Sequence, residues 1–298
     1  KSPPNNVEAP STTLRVINLN FSSWPIEGEY DDYSIVDYTV TLTSKDTVYN
    51  ITGLPATLTS RTQFIVIGAP NITVDGNNNT VNVGVTDYPG FVQNGEKTGW
   101  TSTFGSTFKK AQIVCTIRNL TVDGRNGALN SEGGWVCQNY FGVKSDRYYD
   151  DYDGKRENTY TVENCRSMGD IGNGAGGIIG GYANYEGNAH TTVAQCSSTG
   201  KITGIGAGGI IGKYANAYTY GRPNMTITNC YSTGLIDGRN SGGIIGYGAN
   251  DSTGWRPNLG FVTVTNCYST GYVASTVRKH GIGYILNANI STNPTFVN

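Results

Sequence analysis

The stretch GAGGIIGGYAN, residues 174–184, returns at 206–216 as GAGGIIGKYAN and at 240–250 as NSGGIIGYGAN. A chain that writes one phrase at a near-fixed interval builds one structural unit again and again, and this constrains the fold before any other feature. Every copy keeps the same order of parts. An alternating segment ending in Asn/Gln-Cys leads: TVENC 161–165, TVAQC 192–196, TITNC 226–230 and TVTNC 263–267. A short polar step follows, then GGIIG, then a closing Asn184, Asn216 or Asn250. In the last copy His280-Gly281-Ile282-Gly283 stands in for GGIIG. Looser copies lie upstream, NITVDGNNNTVNV at 71–83 and TIRNLTVDGRNGAL at 116–129, and the DGRN of 123–126 recurs at 237–240.

No unit contains a helix-length pattern, and no unit alone can bury its apolar face. Stacked units can, each adding strands to parallel sheets spaced about 4.8 Å apart. Composition agrees: with 41 Gly, 20 Tyr and only 14% charged residues, the vocabulary is that of turns and strands. The expectation is an all-β chain, a parallel β-solenoid of about six coils over 65–298. Residues 1–10 read as a disordered lead-in and 11–64 as a β-rich N-terminal cap on an otherwise open sheet end. Phe296 and Val297 offer a C-terminal lid.

The repeated letters are first of all architectural. One isoleucine of each pair, Ile178, Ile210 or Ile244, should point inward and stack on its counterpart. Asn184, Asn216 and Asn250 should form an amide ladder. Cys165, Cys196, Cys230 and Cys267 should form a buried column of reduced thiols, because in-register stacking aims sulfurs poorly for disulfides. Cys115 and Cys137 complete the six cysteines, and no spacing among them suits zinc.

Stacked NCYSTG…GGIIG units resemble the GLUG-type repeats of right-handed parallel β-helix proteins in the pectin-lyase-like class. The resemblance covers about 65–298. It implies a right-handed β-helix with a three-sheet cross-section. It implies no single activity: such repeats occur in bacterial surface proteins and adhesins, in viral and phage structural proteins, and near carbohydrate-active enzymes.

Insertions mark where function could sit. The cysteine spacing grows along the chain, and the growth falls after the closing Asn, at 185–191, 217–224 and 251–261. The segment 145–160 should leave from the same corner. Insertions at one repeat position land on one face, often a binding face. These carry Tyr148, Tyr149, Tyr152, Tyr185, Tyr218, Tyr220 and Trp255 with Arg147, Arg222 and Arg256. Aromatic faces beside Arg donors suit a sugar ring or a protein neighbour.

Other chemistry is sparse. The acidic run Asp150-Asp151-Tyr152-Asp153 lacks the pattern of a calcium loop and reads as solvated. Asp75, Asp123, Asp170 and Asp237 recur beside Gly, which is turn chemistry, and no second carboxylate keeps a fixed offset for a glycosidase pair. His190 and His280 read as surface or packing residues. The reading is a non-catalytic structural or surface protein, a virion component or cell-surface module, with polysaccharide or protein neighbours as partners and no cofactor. A polysaccharide lyase or hydrolase is the alternative. A net charge of −1 offers nucleic acid no basic stripe, and no apolar run reaches the ~18–20 residues of a membrane helix.

Overall fold

The computed structural model describes residues 14–24, 28–94, 96–98, 101–103, 114–142, 158–185, 189–217, 224–251, 260–274 and 283–285. These residues form strands and turns, with no helix among them.

The alternating segments build one eight-stranded sheet. Its members are Arg15–Asn20, Thr47–Gly53, Ile72–Asp75, Val114–Arg118, Asn158–Glu163, Ala189–Ala194, Asn224–Thr228 and Phe261–Thr265, in chain order across the sheet. Every pairing is parallel. Alternation sends Ile117, Val162, Val193, Ile227 and Val264 inward as one registered row. Thr116, Thr161, Thr192, Thr226 and Thr263 form the matching row on the other face. Among the described residues the sheet begins at Arg15, so the alternating segments of 11–64, expected to form a cap, pair in parallel with the repeat strands in the same sheet.

The polar steps after each cysteine build a second parallel sheet of six short strands: Thr80–Asn82, Thr121–Asp123, Arg166–Met168, Ser197–Ser198, Tyr231–Ser232 and Tyr268–Ser269. A third set starts with the antiparallel strands Gly28–Glu29, Tyr33–Val36 and Thr39–Leu42, then turns parallel through Ile65–Ile67 and Val92–Gln93. Single bridges carry it on through Cys137, Ile179, Ile211 and Ile245.

Between the strands, asparagine turns the corner. Asn119, Asn164, Asn229 and Asn266, just before the registered leucine or cysteine, all lie in the left-handed region at φ 49–54°. Gln195 holds the same place at φ 54°. Asn visits that region more readily than other side-chain-bearing residues, which explains the Asn-Cys spelling. The closing Asn184, Asn216 and Asn250 are left-handed too, at φ 53–56°. Their side chains run in a buried line: Asn184 Nδ2 donates to Asn216 Oδ1 at 2.6 Å, and Asn216 Nδ2 to Asn250 Oδ1 at 3.1 Å.

The GGIIG phrase departs from the expectation that one isoleucine of each pair points inward. Both members, Ile178 with Ile179, Ile210 with Ile211 and Ile244 with Ile245, are fully buried. The reason is in the backbone. The amides of Ile178 and Ile179 both donate to the Ile210 carbonyl, and those of Ile210 and Ile211 both donate to Ile244. Two consecutive residues opposite one acceptor bend the chain and break the in-out alternation. Glycine makes the bend fit: a Cβ on Gly177 would collide with the Gly209 carbonyl oxygen of the next unit and sit 2.5 Å from Ser198 Oγ.

The six cysteines are free and buried. The thiols of Cys165, Cys196, Cys230 and Cys267 bond main-chain carbonyls, and the Cys196 and Cys230 amides each donate to the sulfur of the next unit at 3.4 Å.

Candidate functional site

Four successive units place a tyrosine near the closing Asn or the loop that leaves there. Tyr140, Tyr182 and Tyr214 occupy equivalent positions, and the next unit supplies Tyr247 beside Gly248. Tyr140 and Tyr182 stack with centroids 4.8 Å apart and planes 5° apart. Tyr182 and Tyr214 follow at 5.4 Å and 23°, and Tyr247 meets Tyr214 edge-on at 5.7 Å. Tyr185 abuts the rings of Tyr140 and Tyr182 edge-on. Tyr140 is buried; Tyr182, Tyr214 and Tyr247 are half-buried.

This column is strained. Tyr140, Tyr182 and Tyr214 have φ of 58°, 61° and 53°, where a bulky side chain is an outlier. The neighbouring unit shows that glycine serves at the position, since Gly248 holds it at φ 72°. Left-handed backbone costs about 1–2 kcal/mol per residue, and each ring pair returns about 0.5–1.5 kcal/mol. The column's five ring pairs therefore offset the backbone cost of its three left-handed tyrosines and hold them in place.

One cation belongs to the column. Lys213 Nζ lies 5.2 Å from the Tyr182 centroid and 5.9 Å from that of Tyr214, and pairs with Glu132 at 2.9 Å. Burial works against its charge, but the Glu132 carboxylate and the Tyr182 hydroxyl together outweigh burial and the lysine pKa is raised. It stays a cation throughout the physiological range.

The column stands at the roots of the insertions singled out in the sequence. The loop aromatics and arginines themselves, Tyr148, Tyr149, Tyr152, Tyr218, Tyr220, Arg222, Trp255 and Arg256, lie outside the described residues, as do Arg147, Asp150, Asp151, Asp153 and His280. The tyrosines at their bases were missed, although the signal was legible: the YAN closing two of the phrases, and the tyrosine of QNYFG and GYGAN.

The aspartates beside glycine are engaged locally. Asp75 accepts from the Asn77 amide at 2.9 Å, Asn119 Nδ2 at 3.1 Å and Arg118 Nε at 2.8 Å. Burial pushes its pKa up, and those three hydrogen bonds together outweigh it and hold the carboxyl low. Asp123 is held low chiefly by Arg125, whose amide it also caps. Asp170 accepts the Lys201 amide at 3.2 Å. His190 sits in a strand of the eight-stranded sheet and accepts from the Asn224 amide through Nδ1.

A second polar feature lies at the asparagine corner between the two parallel sheets. A slot of about 370 Å³ is lined by Asn119, Asn164, Arg166, Gln195, Ser197 and Tyr231, among others. Tyr231 stacks on Tyr268 at 5.2 Å with planes 5° apart.

No family model matches the chain, and no curated protein matches it. Among solved structures, a provisionally assigned immunoglobulin A1 protease from Bacteroides ovatus overlaps at 18% identity, over 75% of this chain and 77% of that one, with a TM-score of 0.35. An overlap that loose carries no argument about fold class or activity.

Proposed function

We propose that the chain is a non-catalytic structural module of a virion or cell surface: a right-handed parallel β-helix of GLUG-like units that presents its loop-bearing corner to a polysaccharide. Support for the helix comes from chain-order parallel pairing in two sheets and from asparagine corners repeated at one place per unit. The observation that carries the binding role is the strained tyrosine column with Lys213, at the foot of loops rich in Tyr, Trp and Arg. Aromatic edges and a shielded cation suit the alternating apolar and hydroxylated surface of a sugar chain.

Retention on immobilised polysaccharides tests this reading. Replacing Tyr218, Tyr220 and Trp255 together with Ser should abolish retention and leave the melting temperature in place. Retention unchanged in that variant contradicts the assignment of the corner.

A further inference from the structure

The outer face of the eight-stranded sheet carries one row that does not vary. Thr73, Thr116, Thr161, Thr192, Thr226 and Thr263 stand in register on six successive strands. All six are half-buried. Strand propensity favours threonine on such a face but does not demand it six times running. The rows on either side show how free the face is. Two residues on, the registered places hold Asp75, Arg118, Glu163, Ala194, Thr228 and Thr265. Two residues back, they include Val114, Thr159, His190 and Phe261.

Threonines facing each other across strands can bond through their hydroxyls, which would make the row a device for stability. These do not: among the described residues none of the six hydroxyls bonds another protein group. Parallel strands lie about 4.8 Å apart, so the row holds free hydroxyls and methyls at one repeat over about 24 Å. In the last two strands Thr228 and Thr265 add a second column about 6.6 Å away. With Ala194 beside Thr192, that end of the two rows carries no charge. The ions of the face stand upstream, where Arg118 is engaged by Asp75 at 2.8 Å.

A lone solute would meet one or two of these threonines. A solid with a matching repeat meets all six at once, and the registered backbone has little freedom left to lose. The strand repeat lies close to the lattice repeat of ice. The methyls order the water above them and the hydroxyls anchor it, so that layer can continue into a crystal. We infer that this threonine face binds ice. It belongs to the eight-stranded sheet and does not rest on the tyrosine corner or its loops.

The test measures thermal hysteresis, inhibition of ice recrystallisation and partition into growing ice for the purified whole chain. The inference predicts all three, with enrichment in ice over an inert protein of similar size. Thr226→Lys sets a hydrated cation in the middle of the uncharged patch and should abolish them. Thr199→Lys sets the same cation at an exposed position beside the six-stranded sheet and should leave them unchanged. Should Thr226→Lys lose its circular dichroism, Thr192→Lys decides. No hysteresis and no enrichment for the native chain overturns the inference, as does full activity in a folded Thr226→Lys or Thr192→Lys. Retention on crystalline cellulose that Thr226→Lys abolishes also overturns it, because the face would then be reading a polymer.

Discussion

Gln195 is the exception among the corner residues. It sits at φ 54° where neighbouring units place Asn164, Asn229 and Asn266. Left-handed backbone is easier for Asn than for Gln, so Gln195→Asn should stabilise the chain by about 0.5–1 kcal/mol, read as a higher urea midpoint. The cysteines make a second prediction at this scale. Burial pushes the Cys115 thiol up to about 12, and Cys230 reaches about 12 chiefly through its hydrogen bond with Cys196, with burial adding. Such thiols stay protonated and inert. Alkylation of native protein should label none of the six, and denaturation should expose all of them. The sign follows from linkage: a thiol pKa raised by folding supports stability below the ordinary value near 8.5–9, and that support is lost as pH climbs from there toward 12. The melting temperature should therefore fall above about pH 9, and Cys115→Ala should soften that fall.

At the scale of the element, the bend at GGIIG governs what can change. Ser198 and Ser167 face the interior with hydroxyls that have no partner. Ser198→Ala should be neutral or stabilising by up to about 1 kcal/mol, since an unsatisfied buried hydroxyl is itself a cost. Gly177→Ala should destabilise by about 1–3 kcal/mol, because the added Cβ has a neighbouring carbonyl in its way. Ile210→Ala should cost about 2–5 kcal/mol as a cavity in the stack. Urea midpoints rank all three. The strands before each cysteine were legible from alternation alone, and the asparagine line from its repetition. The double burial of the isoleucines was not, because sequence alternation assumes extended backbone and the shared Ile210 and Ile244 carbonyls break it. Arg15–Asn20 and Thr47–Gly53 read as strands, but their parallel partners were invisible: neither carries a copied phrase, and parallel neighbours are distant in sequence. The slot escaped for the same reason, since Arg166, Ser197 and Tyr231 meet only through register.

For the whole molecule, nearest-neighbour stacking makes the unit the currency of stability. Excising residues 196–229, from Cys196 to just before Cys230, joins two equivalent corners. The shortened chain should fold with the same circular dichroism per residue and a lower urea midpoint; a chain that does not fold contradicts the stacking account. The central claim is that this stack holds a polysaccharide without cutting it. The direct measurement mixes the purified chain with neutral and acidic polysaccharides and follows, in the same tubes, retention on the polymer and release of new reducing ends or unsaturated products. The account predicts retention with no product. Product release that tracks the protein would contradict it and turn attention to the alternative of a lyase or hydrolase.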